Sequence, residues 1–263
     1  MMKTPMHQME TVILAGGLGS RISEESRSKP KPLIEIGDKP IIWHIMKTYS
    51  HFGVKKFVIC LGYKGHLIKD FFANLNFHLS DVQISSSGQV VFLNNNIEDW
   101  TVKLIETGQQ TQTGGRIRKV LDHLENPEFF LTYGDGLADI DITKLYKFHQ
   151  ETGAFCTVTA TRPVARFGAL DIEGDEVKMF IEKPLSDGGW INGGFFVINK
   201  KIEKYLGADD MPFENFPLKT LAEKRLLKAY KHEGFWQPMD TMREHKILQD
   251  LWENGAAPWK IWE

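Results

Sequence analysis

The apolar residues of this chain gather in short runs, and between the runs the pattern switches to helical spacing. Thr11 to Ala15 reads as a short buried strand, and a glycine-rich stretch, Gly16-Gly17-Leu18-Gly19-Ser20-Arg21, follows at once. Helical spacing covers Ile41 to Phe52, the strand-like run KFVICL covers Lys56 to Leu61, and a helix pattern returns from Gly65 to Asn74. The alternation recurs as a strand from Phe129 to Tyr133, a helix from Ile142 to Glu151 and a strand from Phe155 to Ala160. Strands alternating with helices predict parallel pairing through right-handed crossovers, hence a three-layer α/β fold with a mostly parallel sheet. Ligands of such sheets sit outside the carboxyl ends of the strands. The glycine stretch and Tyr133-Gly134-Asp135-Gly136 both fall there.

From Asp81 to Gln112 the rhythm breaks. The stretch is polar, with short β-like pieces at Val90 to Leu93 and Val102 to Ile105, and reads as an inserted loop or small sheet. Strand patterns resume at Gly168 to Ile172, Val177 to Glu182 and Gly193 to Asn199, with helices expected over Phe213 to Lys224 and Thr241 to Trp252. No internal repeat or linker interrupts the chain, so residues 1–263 are expected to form one domain with the 81–112 region set into it.

Composition narrows the class. With 32 Lys and Arg against 34 Asp and Glu, the chain lacks the basic excess of a nucleic-acid or membrane-surface protein. No apolar run precedes Thr11 and none approaches the roughly 18 residues of a membrane span, so a cytoplasmic protein is expected. The two cysteines, Cys60 and Cys156, each sit inside a β-like apolar stretch and are expected as buried free thiols.

The candidate chemistry is anionic. Gly16, Gly17 and Gly19 let the backbone turn sharply and aim N–H groups at a phosphate, and Arg21 can fork onto phosphate oxygens. The spacing fits neither a dinucleotide fingerprint nor a P-loop, and a glycine turn alone is often only a turn. Lys29-Pro30-Lys31-Pro32 holds Lys31 on a stiff loop, although a solvated basic turn has the same composition. Asp135, flanked by glycines at a strand end, suits a magnesium ion shared with phosphates, or is simply an Asp-Gly turn. Asp240 is either a second carboxylate of that kind or the N-cap of the final helix. Asp139 and Asp141 read as a cap and a solvated face. Glu182-Lys183-Pro184 and Asn192-Gly193-Gly194 offer groups that suit sugar hydroxyls and a phosphate, against the readings of a surface ion pair and a tight turn.

Taken together, these motifs resemble the sugar nucleotidyltransferases. Leu14 to Arg21 and Pro30-Lys31-Pro32 carry that family's fingerprint, and TGQQTQTGGR, YGDG, RFGAL, EKP, WINGGFFV and GFWQPMDTMREH extend the likeness over nearly the whole chain, toward its cytidylyl-transferring branch. Ser20, where the family usually has threonine, and ten extra N-terminal residues are the departures. The resemblance implies a Rossmann-like sheet of the nucleotidyltransferase type. It implies transfer of CMP from CTP to glucose 1-phosphate with Mg2+, giving CDP-glucose for lipopolysaccharide O-antigen synthesis. It also implies a homo-oligomer, a hexamer being one size on offer, with 81–112 as a subunit contact.

On the same resemblance, Leu14, Ala15, Gly16, Gly17, Gly19, Ser20, Arg21, Lys31, Thr111, Arg116, Gly134 and Asp135 hold the nucleotide, with Arg21, Lys31 and Asp135 acting in catalysis. Tyr133, Glu182, Lys183, Asn192 and Gly193 face the sugar phosphate, and Asp135 and Asp240 carry the metal. Such a reaction needs cations more than a base. A phosphate monoester has its second pKa near about 6, so the nucleophile is ionised at neutral pH. Two unit charges 4 Å apart repel by roughly 4 kcal/mol at an effective dielectric of about 20, so like-charged reactants must be neutralised before they meet. The same fold and reaction with UTP or dTTP, or a nucleotide-sugar-binding protein without turnover, are the alternatives. A nicotinamide-dependent dehydrogenase conflicts with the missing third glycine.

Overall fold

The computed structural model describes residues 4–17, 29–93, 98–162, 169–173, 176–181 and 189–262. Chain order runs β1 (Glu10–Leu14), the short strands β2 (Glu35–Ile36) and β3 (Lys39–Pro40), helix α1 (Ile41–His51) and β4 (Lys56–Leu61). Helices α2 (Gly65–Ala73) and α3 (Leu75–Leu79) lead to the hairpin β5 (Val82–Ile84) and β6 (Val90–Phe92), then β7 (Thr101–Glu106) and α4 (Thr113–Val120). Next come β8 (Glu128–Tyr133), β9 (Gly136–Ala138), α5 (Ile142–Thr152) and β10 (Cys156–Thr161). A second hairpin, β11 (Ala169–Glu173) and β12 (Glu176–Ile181), precedes β13 (Ile191–Asn199) and α6 (Phe216–Glu223). The last elements are β14 (Leu227–Lys231), β15 (Trp236–Pro238) and α7 (Met242–Glu253).

Seven strands form one sheet in the order β14-β10-β13-β8-β1-β4-β7. β1 pairs in parallel with β4 and β8, β4 with β7, and β10 with β14, whereas β13 runs antiparallel to both its neighbours. β1 is buried at all five residues because it lies deep in the sheet with both faces covered. Its alternate side chains feed two cores. Ile13 packs with α1 residues such as Ile45 and Met46 on one face, while Val12 and Leu14 meet Ile117 and Val120 of α4 on the other. The expected α/β layering is therefore present, and most expected elements differ from the observed ones only by a residue or two at their ends.

Two differences matter. Of the 81–112 stretch expected as an insertion, the β5–β6 hairpin is a separate two-stranded sheet, but Thr101–Glu106 is the edge strand of the main sheet. Its polar, half-exposed pattern is what an edge strand shows, since only one side is paired. Second, α4 and β14 lie in stretches that gave no periodic signal. Cys60 and Cys156 are buried free thiols, with burial pushing the Cys60 thiol up to about 12.

Candidate active site

The carboxyl ends of β1 and β8 lie side by side, and the pairing continues one residue further, Gly134 N–H donating to Leu14 C=O at 3.1 Å. Beyond Gly134 the chain enters β9, which pairs antiparallel with β15 so that Gly136 faces Pro238. Met239 N–H donates to Asp135 C=O at 2.8 Å, extending that ladder and setting Asp135 and Asp240 next to one another. A distant turn supplies the third member. Pro30, at φ −67°, enters the 3-10 turn Lys31–Leu33, and Pro32 sits inside it, so the backbone carrying Lys31 is fixed at two of its φ angles.

Lys31 Nζ donates to Asp135 Oδ2 at 2.5 Å and to Asp240 Oδ1 at 2.7 Å. The lysine side chain is 12% exposed and the carboxylates about a third, so the trio sits half-sheltered at the cleft wall. Burial works against the Lys31 charge, but Asp135 and then Asp240 outweigh it and leave the ammonium above its ordinary lysine value. Two carboxylates and one ammonium carry a net charge of −1. Asp240 is not the helix cap. Thr241 is: its hydroxyl accepts from Glu244 N–H at 3.3 Å, and Glu244 Oε2 in turn accepts from the N–H groups of Asp240 at 2.8 Å and Thr241 at 2.9 Å. Of the pair expected as a cap and a solvated face, Asp141 is the cap of α5, whereas Asp139 lies beside His232 Nε2 at 3.1 Å.

The cleft between these elements has a volume of about 430 Å³. Of the residues predicted from sequence, it is lined by Leu14, Ala15, Gly16, Gly17, Lys31, Thr111, Arg116, Tyr133, Gly134, Asp135 and Asp240. Gly19, Ser20, Arg21, Glu182 and Lys183 lie outside the described residues. Arg116 differs in its use from a simple phosphate clamp. Its guanidinium is buried and donates to Leu61 C=O at 2.9 Å, Thr107 Oγ1 at 2.6 Å and Gly16 C=O at 3.0 Å. It therefore ties the glycine turn to the ends of β4 and β7, and burial lowers its pKa from the usual arginine value. Thr111 accepts from Lys119 Nζ at 3.3 Å and is held against the same wall.

On the other side, Tyr133 packs its ring against Gly194, whose φ of +81° and lack of a Cβ make room for it. The phenol donates to Glu214 Oε1 at 2.6 Å and accepts from Asn192 Nδ2 at 3.1 Å. Burial first, then the Glu214 charge, raises the Tyr133 pKa and keeps its proton in place. Asn192 and Gly193 begin the antiparallel strand β13, whose start meets the carboxyl ends of its neighbours, and Trp236 Nε1 fixes Gly193 C=O at 2.7 Å. Glu214 was not singled out from the sequence, nor were Gln109, Gln110, Gln112 and Thr113 of the cleft wall. A lone Glu between two phenylalanines gives no motif, and only contact with Tyr133 reveals it.

Over residues 10–239 the sequence matches the family described as Nucleotidyl transferase. The chain belongs to that family. Among its relatives, the nucleotidyl transferase is 51% identical over 257 residues to the glucose-1-phosphate cytidylyltransferase of Salmonella typhi, covering 97% of this chain and 100% of that one. It is likewise 51% identical over 257 residues to the glucose-1-phosphate cytidylyltransferase of Salmonella typhimurium, with the same 97% and 100% coverage. The crystal structure of HddC from Yersinia pseudotuberculosis complexed with GMP-PN shares the fold at a TM-score of 0.68 and 24% identity, over 93% of this chain and 99% of that one.

Among the described residues of this nucleotidyl transferase, no three His, Cys, Asp or Glu side chains gather as a metal site. The candidate is the Asp135–Asp240 pair. Two oxygen donors already drawn onto one cation, Lys31 Nζ, suit a hard divalent ion that takes its remaining ligands from water and phosphate. The residues fit such an ion.

Proposed function

We propose that this chain transfers CMP from CTP to α-D-glucose 1-phosphate, releasing pyrophosphate and giving CDP-glucose. The observation that carries the reading is the convergence of Lys31, Asp135 and Asp240 in one cleft beside the glycine turn at the end of β1. The name borne by relatives at 51% identity supports the choice of base and sugar.

The bond formed joins a sugar phosphate oxygen to the α-phosphorus, and the bond broken joins that phosphorus to the oxygen of departing pyrophosphate. No proton need be removed, because the monoester is already ionised at neutral pH. The work of the protein is to hold two polyanions in line and offset their repulsion. The backbone of Gly16 and Gly17, kept in place by Arg116, forms the phosphate-facing turn. Lys31 supplies a fixed positive charge at the wall of the cleft. On this reading Arg21 and Lys183 add further cations and Glu182 faces the sugar. Thr111 and Gly134 border the nucleotide, while Tyr133, Asn192 and Gly193 border the sugar phosphate. Asp135 and Asp240 would hold Mg2+, which when bound neutralises charge on the reacting phosphates.

We read residues 1–263 as one nucleotidyltransferase domain bearing the β5–β6 hairpin, and the protein as cytoplasmic and homo-oligomeric. Its product would serve lipopolysaccharide O-antigen synthesis. Exposed Ile84, Val90, Val91 and Leu93 on the hairpin support a subunit contact there. Two buried free thiols accord with a reducing compartment.

The test is pyrophosphate release from CTP, UTP and dTTP side by side, each with glucose 1-phosphate and Mg2+. Release with CTP, dependent on the sugar phosphate, is expected. A clear UTP or dTTP preference overturns the base, and no release with any of the three overturns the activity.

A further inference from the structure

Glu214 joins two residues that line the cleft, Tyr133 and Thr113. Its Oε1 accepts from the Tyr133 hydroxyl at 2.6 Å and its Oε2 from the Thr113 hydroxyl at 2.7 Å. Thr113 is itself pinned, accepting from Phe213 N–H at 2.7 Å. A carboxylate accepts and does not donate, so the Tyr133 hydrogen is committed to Glu214. The phenolic oxygen is then left only its acceptor role, and it takes an N–H from Asn192 Nδ2 at 3.1 Å. The far side of the same amide is fixed too, since Asn192 Oδ1 accepts from Gly194 N–H at 2.8 Å. Turning the amide over would set its oxygen against the Tyr133 oxygen and its NH2 against the Gly194 N–H, two unfavourable pairs at once. The order of atoms along this relay has a single solution.

We propose that Glu214 is a positioning residue for the sugar phosphate: through Tyr133 it locks the Asn192 amide, so that a fixed donor and a fixed acceptor meet the hexose hydroxyls. Asn192 is exposed at the start of β13 and keeps its second N–H and further acceptor capacity beyond the relay. A hexose hydroxyl both donates and accepts, so an amide locked in one orientation recognises it without the entropy loss of a rotating side chain. The relay begins at Thr113, the first residue of α4, directly after the Gln109 to Gln112 wall, which ties the two substrate sides together. This inference rests on the proposed function, since it takes Asn192 as a sugar contact.

The experiment measures KM for glucose 1-phosphate and for CTP separately in the full-length chain with Mg2+. Glu214→Ala is expected to raise KM for glucose 1-phosphate roughly tenfold, the effect of about one hydrogen bond, and to leave KM for CTP within about twofold. Glu214→Gln, which can keep its oxygen on Tyr133 and turn its NH2 to Thr113, restores most of the loss. Tyr133→Phe keeps the ring against Gly194 and reproduces the Glu214→Ala effect, and the double variant is no worse than either single one. Unchanged sugar KM, equal rises in both KM values, or losses that multiply in the double variant overturn the relay. If Glu214→Ala does not fold, Tyr133→Phe decides by the same split. A wild-type chain that fails to turn over glucose 1-phosphate removes the substrate reading and the inference with it, whereas active wild type with an insensitive relay removes the inference alone.

Discussion

The guanidinium of Arg116 fills the space into which a side chain at Gly16 would project, while its Nη2 donates to the carbonyl of that same glycine at 3.0 Å. The glycine turn is thus shaped by a buried cation behind it as well as by its own freedom. The donors of Arg116, a predicted nucleotide contact, are turned chiefly to the protein, toward the ends of β4 and β7.

Gly16→Ala therefore forces Arg116 aside. Overpacking of this kind costs about 1 to 3 kcal/mol, and a displacement near 1 Å at a reacting centre can lower turnover about a hundredfold. The expected outcome is a lowered Tm together with a kcat/KM drop of that order, read by thermal unfolding and pyrophosphate release. A variant with wild-type kcat/KM would show that the turn need not hold its position.

Glu244 is expected to act on metal use without touching substrate. Its carboxylate accepts from the N–H groups of Asp240 and Thr241, closing the capping box of α7. Loss of a cap costs about 1 kcal/mol, and loss of an outer-shell partner lowers metal affinity about 10- to 100-fold. Glu244→Ala should raise the Mg2+ concentration for half-maximal activity about tenfold, and Glu244→Gln, which keeps an acceptor, should raise it less. A magnesium titration superimposable on wild type would detach the capping box from the site.

These two cases also show what the sequence could and could not convey. The strand–helix alternation was readable because buried parallel strands such as KFVICL are continuous apolar runs, and the sheet follows from them. The edge strand Thr101–Glu106 was readable only as a β-like piece at Val102 to Ile105 and not as part of the main sheet, and the outer strand Leu227–Lys231 not at all, because strands with one open side carry polar residues and resemble loops. Helix α4 was hidden by Gly114 and Gly115, poor helix formers that nevertheless pack against the backbone of Met211 and Asp209. At the site, the motif stretches at strand ends were legible, whereas that Thr241 and not Asp240 caps the last helix needed the two residues in three dimensions. Glu214 has no signal in the linear chain, since its partners Thr113 and Tyr133 come from other elements.

His44 gives a pH prediction independent of the cleft. It is fully buried, its Nε2–H donates to Ile36 C=O at 2.9 Å, and Trp259 Nε1–H faces its Nδ1 at 3.4 Å. A second proton would meet that indole donor, and burial lowers the His44 pKa from 6.5 to about 4. The folded value lies below the unfolded one, so the unfolded chain takes up the proton first and acid favours unfolding. The stability held by neutral His44 is full above pH 6.5 and is lost as pH falls toward about 4, on the order of 3 kcal/mol. Urea midpoints of wild type and His44→Leu should converge over that window. A constant gap between them would contradict the assignment.

The central claim is that fixed positive charge beside Asp135 and Asp240 makes the reaction possible, and Lys31 tests it most directly. Pyrophosphate release by Lys31→Ala, assayed with CTP, glucose 1-phosphate and saturating Mg2+ on protein whose circular dichroism matches wild type, is expected to fall at least about 100-fold. Release within a few-fold of wild type would show that the lysine joining the two aspartates takes no part in the chemistry.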